Sequence, residues 1–127
     1  MIAADTSTWI AYLQGDEGED TRMLEMALAE RQVFMPPPVL TELLSDPKMP
    51  EAVARSLSGV PMMEIQNGFW TRAGALRARA FAKKRKARLG DALIAQFCID
   101  AGMPLLTRDR DFRAFAGASG LEIAIIP

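Results

Sequence analysis

The chain has no histidine and one cysteine, so hydrolytic or metal chemistry would have to be built on carboxylates. Asp5 closes the apolar run Met1-Ile2-Ala3-Ala4, and Asp109 and Asp111 follow a second run, Pro104-Leu105-Leu106-Thr107. Glu42 lies among Leu40, Leu43 and Leu44, and Asp91 follows Gly90 at the start of an apolar stretch. Four or five acidic side chains sharing one cleft repel each other, and a hard divalent cation resolves that repulsion. Oxygen-only ligands favour Mg²⁺ or Mn²⁺, while the near absence of nitrogen and sulfur donors argues against zinc. A carboxylate-held cation activates water and stabilises charge developing on a phosphate, so no histidine base is required.

Each acid also has a purely structural reading. Asp5, before Thr6 and Ser7, suits a strand end or helix cap. Asp91 suits the first turn of a helix, where negative charge complements the dipole. Asp109 and Asp111 suit a turn. Glu42, inside an apolar stretch, needs a partner. Trp9 and Tyr12 read as core or partner-facing residues, and Cys98 as a small buried hydrophobe.

The charges are unevenly distributed. The 15 basic and 16 acidic residues nearly cancel, but no acid lies between Glu64 and Asp91, where Arg72, Arg77, Arg79, Lys83, Lys84, Arg85, Lys86 and Arg88 fall. Six acids crowd Asp16 to Glu30. A local basic face can hold a polyanionic backbone on a protein without net positive charge, and Arg79, Lys83, Lys84, Arg85, Lys86 and Arg88 are the candidate contacts for such a backbone. The alternative is a solvated helix face.

The elements that must position these groups alternate. Apolar strands are expected at Met1–Ala4, Val33–Met35, Pro61–Ile65, Pro104–Thr107 and Leu121–Ile126. Helical spacing starts at Thr6-Ser7, with Trp9, Ile10 and Leu13 recurring until Gly15. Further helices are expected over Glu17–Arg31, Val39–Leu44, Glu51–Leu57, Trp70–Arg88, Asp91–Ala101 and Asp111–Ala116, with Gly90 breaking the long basic helix and Gly102 stopping the next. Apolar strands separated by helices predict an α/β domain of about five parallel strands, flanked by helices on both faces. In such sheets functional groups gather beyond the carboxyl ends of the strands, where Asp5 and Asp109 fall and which Glu42 and Asp91 can reach.

A length of 127 residues suits one domain spanning 1–127. The lone Cys98 and the lack of a basic-then-apolar leader point to a reducing, cytoplasmic setting, and no apolar window is long enough for a membrane span.

The chain resembles the PIN-domain ribonuclease family, and within it the VapC-like toxins of toxin–antitoxin pairs, over essentially its whole length. The resemblance rests on Asp5-Thr6-Ser7-Thr8-Trp9, the Glu42-Leu43 pair behind a proline-bearing strand end, Gly90-Asp91-Ala92-Leu93-Ile94-Ala95, and Leu106-Thr107-Arg108-Asp109-Arg110-Asp111-Phe112, in that order. It implies a five-stranded PIN sheet and Mg²⁺- or Mn²⁺-dependent cleavage of RNA phosphodiesters. Asp5, Glu42 and Asp91 match the family's three core acids, and either Asp109 or Asp111 its fourth. Asp5, Asp91 and Asp109 are the expected metal ligands, with Glu42 a ligand or the group that orients water. Thr6, Ser7 and Thr107 are expected to support the acids. The resemblance also implies a homodimer and a cognate antitoxin lying near the first helices, with Trp9, Tyr12 and Leu13 as groove residues.

Two other readings fit less of the sequence. A phospho-accepting receiver would want paired acids after the first strand and a lysine after the last, and Asp5 stands alone. A non-catalytic PIN-like module that holds RNA or a partner would bind Mn²⁺ weakly or not at all.

Overall fold

The computed structural model describes residues 1–126. Strand β1 spans Ile2–Ala4, followed by helices α1 (Thr6–Leu13) and α2 (Glu19–Ala29), strand β2 (Val33–Phe34), and helices α3 (Pro37–Leu44), α4 (Glu51–Ser58), α5 (Phe69–Ala82) and α6 (Leu89–Ala101). Strand β3 (Leu105–Leu106), a 3₁₀ stretch at Arg110–Phe115 and strand β4 (Ile123–Ile125) complete the order. The sheet is parallel throughout, in the order β2-β1-β3-β4, with Ala3 opposite both Phe34 and Leu105 and Ala4 opposite Leu106. All three residues of β1 are buried. Successive strand residues point to opposite faces, so burial of all three requires cover on both.

The architecture is thus the single α/β domain expected, with four strands among the described residues, close to the five or so expected. Of the expected Pro61–Ile65 strand, one bridge between Met35 and Met62 remains, held by Met35 N–H to the Pro61 carbonyl at 2.8 Å and Met63 N–H to the Met35 carbonyl at 3.0 Å. Pro36, Pro37 and Pro38 follow immediately and have no N–H to donate, so the ladder cannot continue.

The basic helix also ends earlier than its charge pattern suggests. α5 stops at Ala82, Lys84 adopts a left-handed φ of 56°, and the Arg85 N–H closes on the Ala80 carbonyl at 2.9 Å. Lys83 to Lys86 therefore form a connection, not a helix face. Arg88 is the N-cap of α6, which starts at Leu89, so Gly90 lies in its first turn and does not interrupt it. α2 is likewise shorter than Glu17–Arg31, with Arg31 at a φ of 56°.

The expected helix at Asp111–Ala116 is a 3₁₀ stretch. Its three-residue period places Phe112 and Phe115 on the same side, both fully buried, with ring centroids 6.2 Å apart. The core gathers Ala3, Ala4, Leu105 and Leu106 of the sheet with Trp9, Leu24, Val39, Leu76, Ile94 and the two phenylalanines.

Candidate active site

Asp5 leaves the carboxyl end of β1 and caps α1, accepting the Thr8 N–H at 3.1 Å. The Ser7 hydroxyl donates to its two oxygens at 2.7 and 3.0 Å, and the Thr107 hydroxyl donates to Oδ2 at 2.7 Å. Burial raises the Asp5 carboxyl, and these hydrogen bonds only partly offset that cost. Capping and membership of an acidic cleft, alternatives from sequence alone, coexist in this one residue.

Asp91 lies in the first turn of α6. Its carboxyl is raised to about 6 by burial first, then by the charges of Asp109, Glu42 and Asp5, with Arg88 alone opposing. Those three carboxylates therefore lie close enough for their charge to reach Asp91. Glu42, on α3, accepts the Thr6 hydroxyl at 2.9 Å. The Asp109 N–H donates to Thr107 Oγ1 at 2.9 Å, and Asp109 Oδ1 accepts the Asp111 N–H at 2.9 Å. That turn brings Asp111 into the cleft, so Asp109 and Asp111 both belong to it.

One oxygen from each of Asp91, Asp109 and Asp111 lies within 4.8 Å of the others. Asp91 Oδ2 is buried with no hydrogen-bond partner among the described residues, a state that costs several kcal/mol in a dry site unless a cation or donor meets it. Ligand oxygens on opposite sides of a hard cation, at about 2.1–2.4 Å from it, are separated by about 4–5 Å. An all-oxygen trio at this spacing, with an orphaned oxygen on one of its members, suits a hard divalent cation. Asp5 stands outside the trio, its oxygens already engaged by Ser7, Thr8 and Thr107.

The basic residues divide into three groups. Lys86 reaches the acids, with Nζ 3.6 Å from Asp111 Oδ2, and Arg88 acts on Asp91. Arg79, Lys83, Lys84 and Arg85 are exposed on the same stretch. Arg72 is tied to Asp100 at 2.6 Å, and Arg77 caps the Ala87 carbonyl at 2.9 Å while lying over Phe81. Cys98 is buried, its thiol pushed up to about 12 by burial and then by Asp5, so it is no nucleophile.

Trp9 is 2% exposed and is a core residue. It forms the floor of an apolar groove of about 340 Å³ shared with Tyr12, Leu13, Leu28, Val53 and Leu57. A second groove of about 360 Å³ shares Leu13 and Val53 and opens onto Glu42. Two residues without a signal as a pair in the sequence, Asp20 and Arg108, form an ion pair at 2.7 Å in which the carboxylate is fully buried and the guanidinium partly exposed. Arg108 stood inside the motif around Thr107, but Asp20 was one of six acids in a polar stretch and carried no distinguishing signal.

Residues 2–118 match the PIN domain family. Ribonuclease VapC11 of Mycobacterium tuberculosis is 28% identical over 131 aligned positions, covering 98% of each chain. Among solved structures, DNA-bound VapBC from Salmonella typhimurium superposes with a TM-score of 0.72 at 20% identity, covering 97% of both chains. VapBC-5 of Mycobacterium tuberculosis, described as a member of the VapBC family of toxin–antitoxin systems, superposes with a TM-score of 0.70 at 20% identity, covering 96% of this chain and 95% of that one.

Proposed function

The chain belongs to the PIN-domain family, and we propose from that premise that it is a cytoplasmic, Mg²⁺- or Mn²⁺-dependent endoribonuclease, the toxin of a toxin–antitoxin pair. The observation that carries this reading is the trio of Asp91, Asp109 and Asp111 carboxylates within 4.8 Å of one another, one of them with a buried, unpartnered oxygen and all set where Asp5 and Glu42 add charge at Asp91.

Asp91, Asp109 and Asp111 would hold the cation, and Asp5 would add its charge to the cleft. When bound, the cation supplies Lewis acidity toward a phosphodiester and acidifies water. Glu42, steadied by Thr6, would orient the attacking water and accept its proton as the water oxygen bonds in line to phosphorus; the opposite P–O bond breaks and the departing ribose oxygen takes a proton from solvent. Ser7 and Thr107 keep the Asp5 carboxylate in one orientation. Lys86 and Arg88 lie where they can neutralise the phosphate, and Arg79, Lys83, Lys84 and Arg85 extend a basic track for the RNA backbone.

The apolar groove lined by Trp9, Tyr12 and Leu13 is the proposed seat of the antitoxin. Exposed Trp70, Phe81 and Leu89 border a hollow also lined by Ala73, Gly74 and Ala78, a face suited to a homodimer. Among the described residues no helix is long and apolar enough to cross a membrane.

Antitoxin-free protein incubated with RNA, with and without Mn²⁺ and beside an Asp91→Asn control, tests the assignment. Metal-dependent cleavage lost in the variant is the expected outcome. Neither cleavage nor Mn²⁺ binding by the unmodified protein would instead identify a non-catalytic module.

A further inference from the structure

Asp20 is fully buried at the start of α2, in a chain segment otherwise rich in exposed acids. Its carboxylate accepts the Thr8 hydroxyl at 3.0 Å, Arg108 Nε at 2.7 Å and Arg108 Nη2 at 3.0 Å. Burial raises this carboxyl, but the hydrogen bonds from Arg108 and Thr8 outweigh it and hold Asp20 below the usual carboxylate range. Arg108 Nη2 also donates to the Glu17 carbonyl at 3.0 Å.

The two residues gripped by Asp20 are those whose backbone N–H groups serve Asp5. The Thr8 N–H donates to Asp5 Oδ1 at 3.1 Å. The Arg108 N–H donates to Ser7 Oγ at 3.0 Å, and the Ser7 hydroxyl in turn donates a hydrogen bond to Asp5. Arg108 also joins Thr107, which donates to Asp5, to Asp109, a member of the acidic trio. Gly18 makes room for this clamp. A Cβ there would fall 2.6 Å from Asp20 Oδ1 and 2.7 Å from Arg108 Nη2, closer than atoms can pack.

We propose that Asp20 and Arg108 are positioning residues of the active site, an ion pair with a fully buried carboxylate that locks the start of α1 to the Thr107–Asp109 segment and so fixes the acids for metal binding. The proposal rests on the nuclease reading above. Neither residue contacts RNA or the cation; both act through Ser7, Thr8 and Thr107. Groups that orient ligands in this way change metal affinity or activity by about 10- to 100-fold when removed. A clamp that served folding alone would lower the melting temperature and leave both unchanged.

The test compares the unmodified protein with Asp20→Asn, Arg108→Gln, Arg108→Lys and Gly18→Ala, by Mn²⁺ titration calorimetry and by kcat and KM for RNA, well below each melting temperature. Expected are Mn²⁺ affinity and kcat each lower by about tenfold in Asp20→Asn and Arg108→Gln, with KM little changed and partial recovery in Arg108→Lys. Gly18→Ala, which keeps both charges but wedges them apart, should follow Asp20→Asn. If Asp20→Asn fails to fold, Arg108→Gln carries the same comparison, because that guanidinium is partly exposed. Variants that melt lower yet bind Mn²⁺ and cleave like the unmodified protein would overturn the positioning role while leaving the nuclease assignment standing. An unmodified protein that binds no Mn²⁺ and cuts no RNA would remove both.

Discussion

Thr107 Oγ1 donates to Asp5 Oδ2 at 2.7 Å across 102 positions of sequence. The bond is buried and joins the ends of the adjacent parallel strands β1 and β3. The same hydroxyl oxygen accepts the Asp109 N–H, so one side chain orients two of the cleft's acids.

Replacing Thr107 with valine keeps the shape and removes both interactions. Asp5 Oδ2 then loses its shorter donor and keeps only the Ser7 hydroxyl at 3.0 Å, and the Asp109 N–H loses its acceptor, at a cost of about 1–3 kcal/mol. Denaturant unfolding should show that loss, and cleavage should fall about tenfold.

Asp91→Asn should uncouple stability from activity. Its charged form is disfavoured in the fold, so without metal at neutral pH the variant should be more stable, by about 1–2 kcal/mol after allowance for partial hydration of the site. Mn²⁺ binding and RNA cleavage should be lost. Chemical denaturation in the presence of chelator, beside calorimetry, checks both halves.

The pH dependence of the metal-free protein should have two limbs of opposite sign. The folded state binds a proton at Asp91 more tightly than the unfolded chain, so stability is gained as pH falls from about 6 toward 3.8. Asp20 and Asp100 are lowered, so their contribution is present above 3.8 and lost as pH falls below it. Melting scans in chelator should therefore show a maximum on the acid side of neutrality, and saturating Mn²⁺, which favours ionised Asp91, should flatten the upper limb.

The cations of the basic stretch should separate by role. Lys86→Ala should raise KM for RNA and reduce the dependence of log affinity on log salt by about one contact. Arg72→Ala should leave RNA binding alone and lower stability, because its guanidinium is committed to Asp100 on α6. Binding isotherms at several salt concentrations and a melting curve distinguish them.

Leu13 and Trp9 should separate similarly. Leu13 is 38% exposed at the shared edge of both grooves, so Leu13→Asp should keep the fold and cleavage while weakening antitoxin inhibition. Trp9→Ala empties a core site and should cost about 3–5 kcal/mol. Inhibition titrations against unfolding curves provide the check.

Much of this protein was legible in its sequence because the signals were local. Apolar runs bounded by helical spacing gave β1, α1, α6 and β3 close to their observed limits, and an acid at the end of a parallel strand marks a cleft in any such sheet. The absence of histidine restricted the chemistry to carboxylates before any coordinates were known.

Non-local contacts decided the rest. The three prolines after Met35 stopped a fifth strand at one bridge. The end of α5 at Ala82 moved four basic residues from a helix face into a connection that brings Lys86 to Asp111. Asp109 and Asp111 could not be told apart by spacing, yet a tight turn placed both beside Asp91. Asp20 was indistinguishable from its solvated neighbours until folding carried Arg108 to it from 88 positions away. Composition and periodicity determine which side chains can do chemistry and which segments bury. Tertiary packing alone determines which charges lose their water, and in this chain that loss separates a surface acid from a site residue.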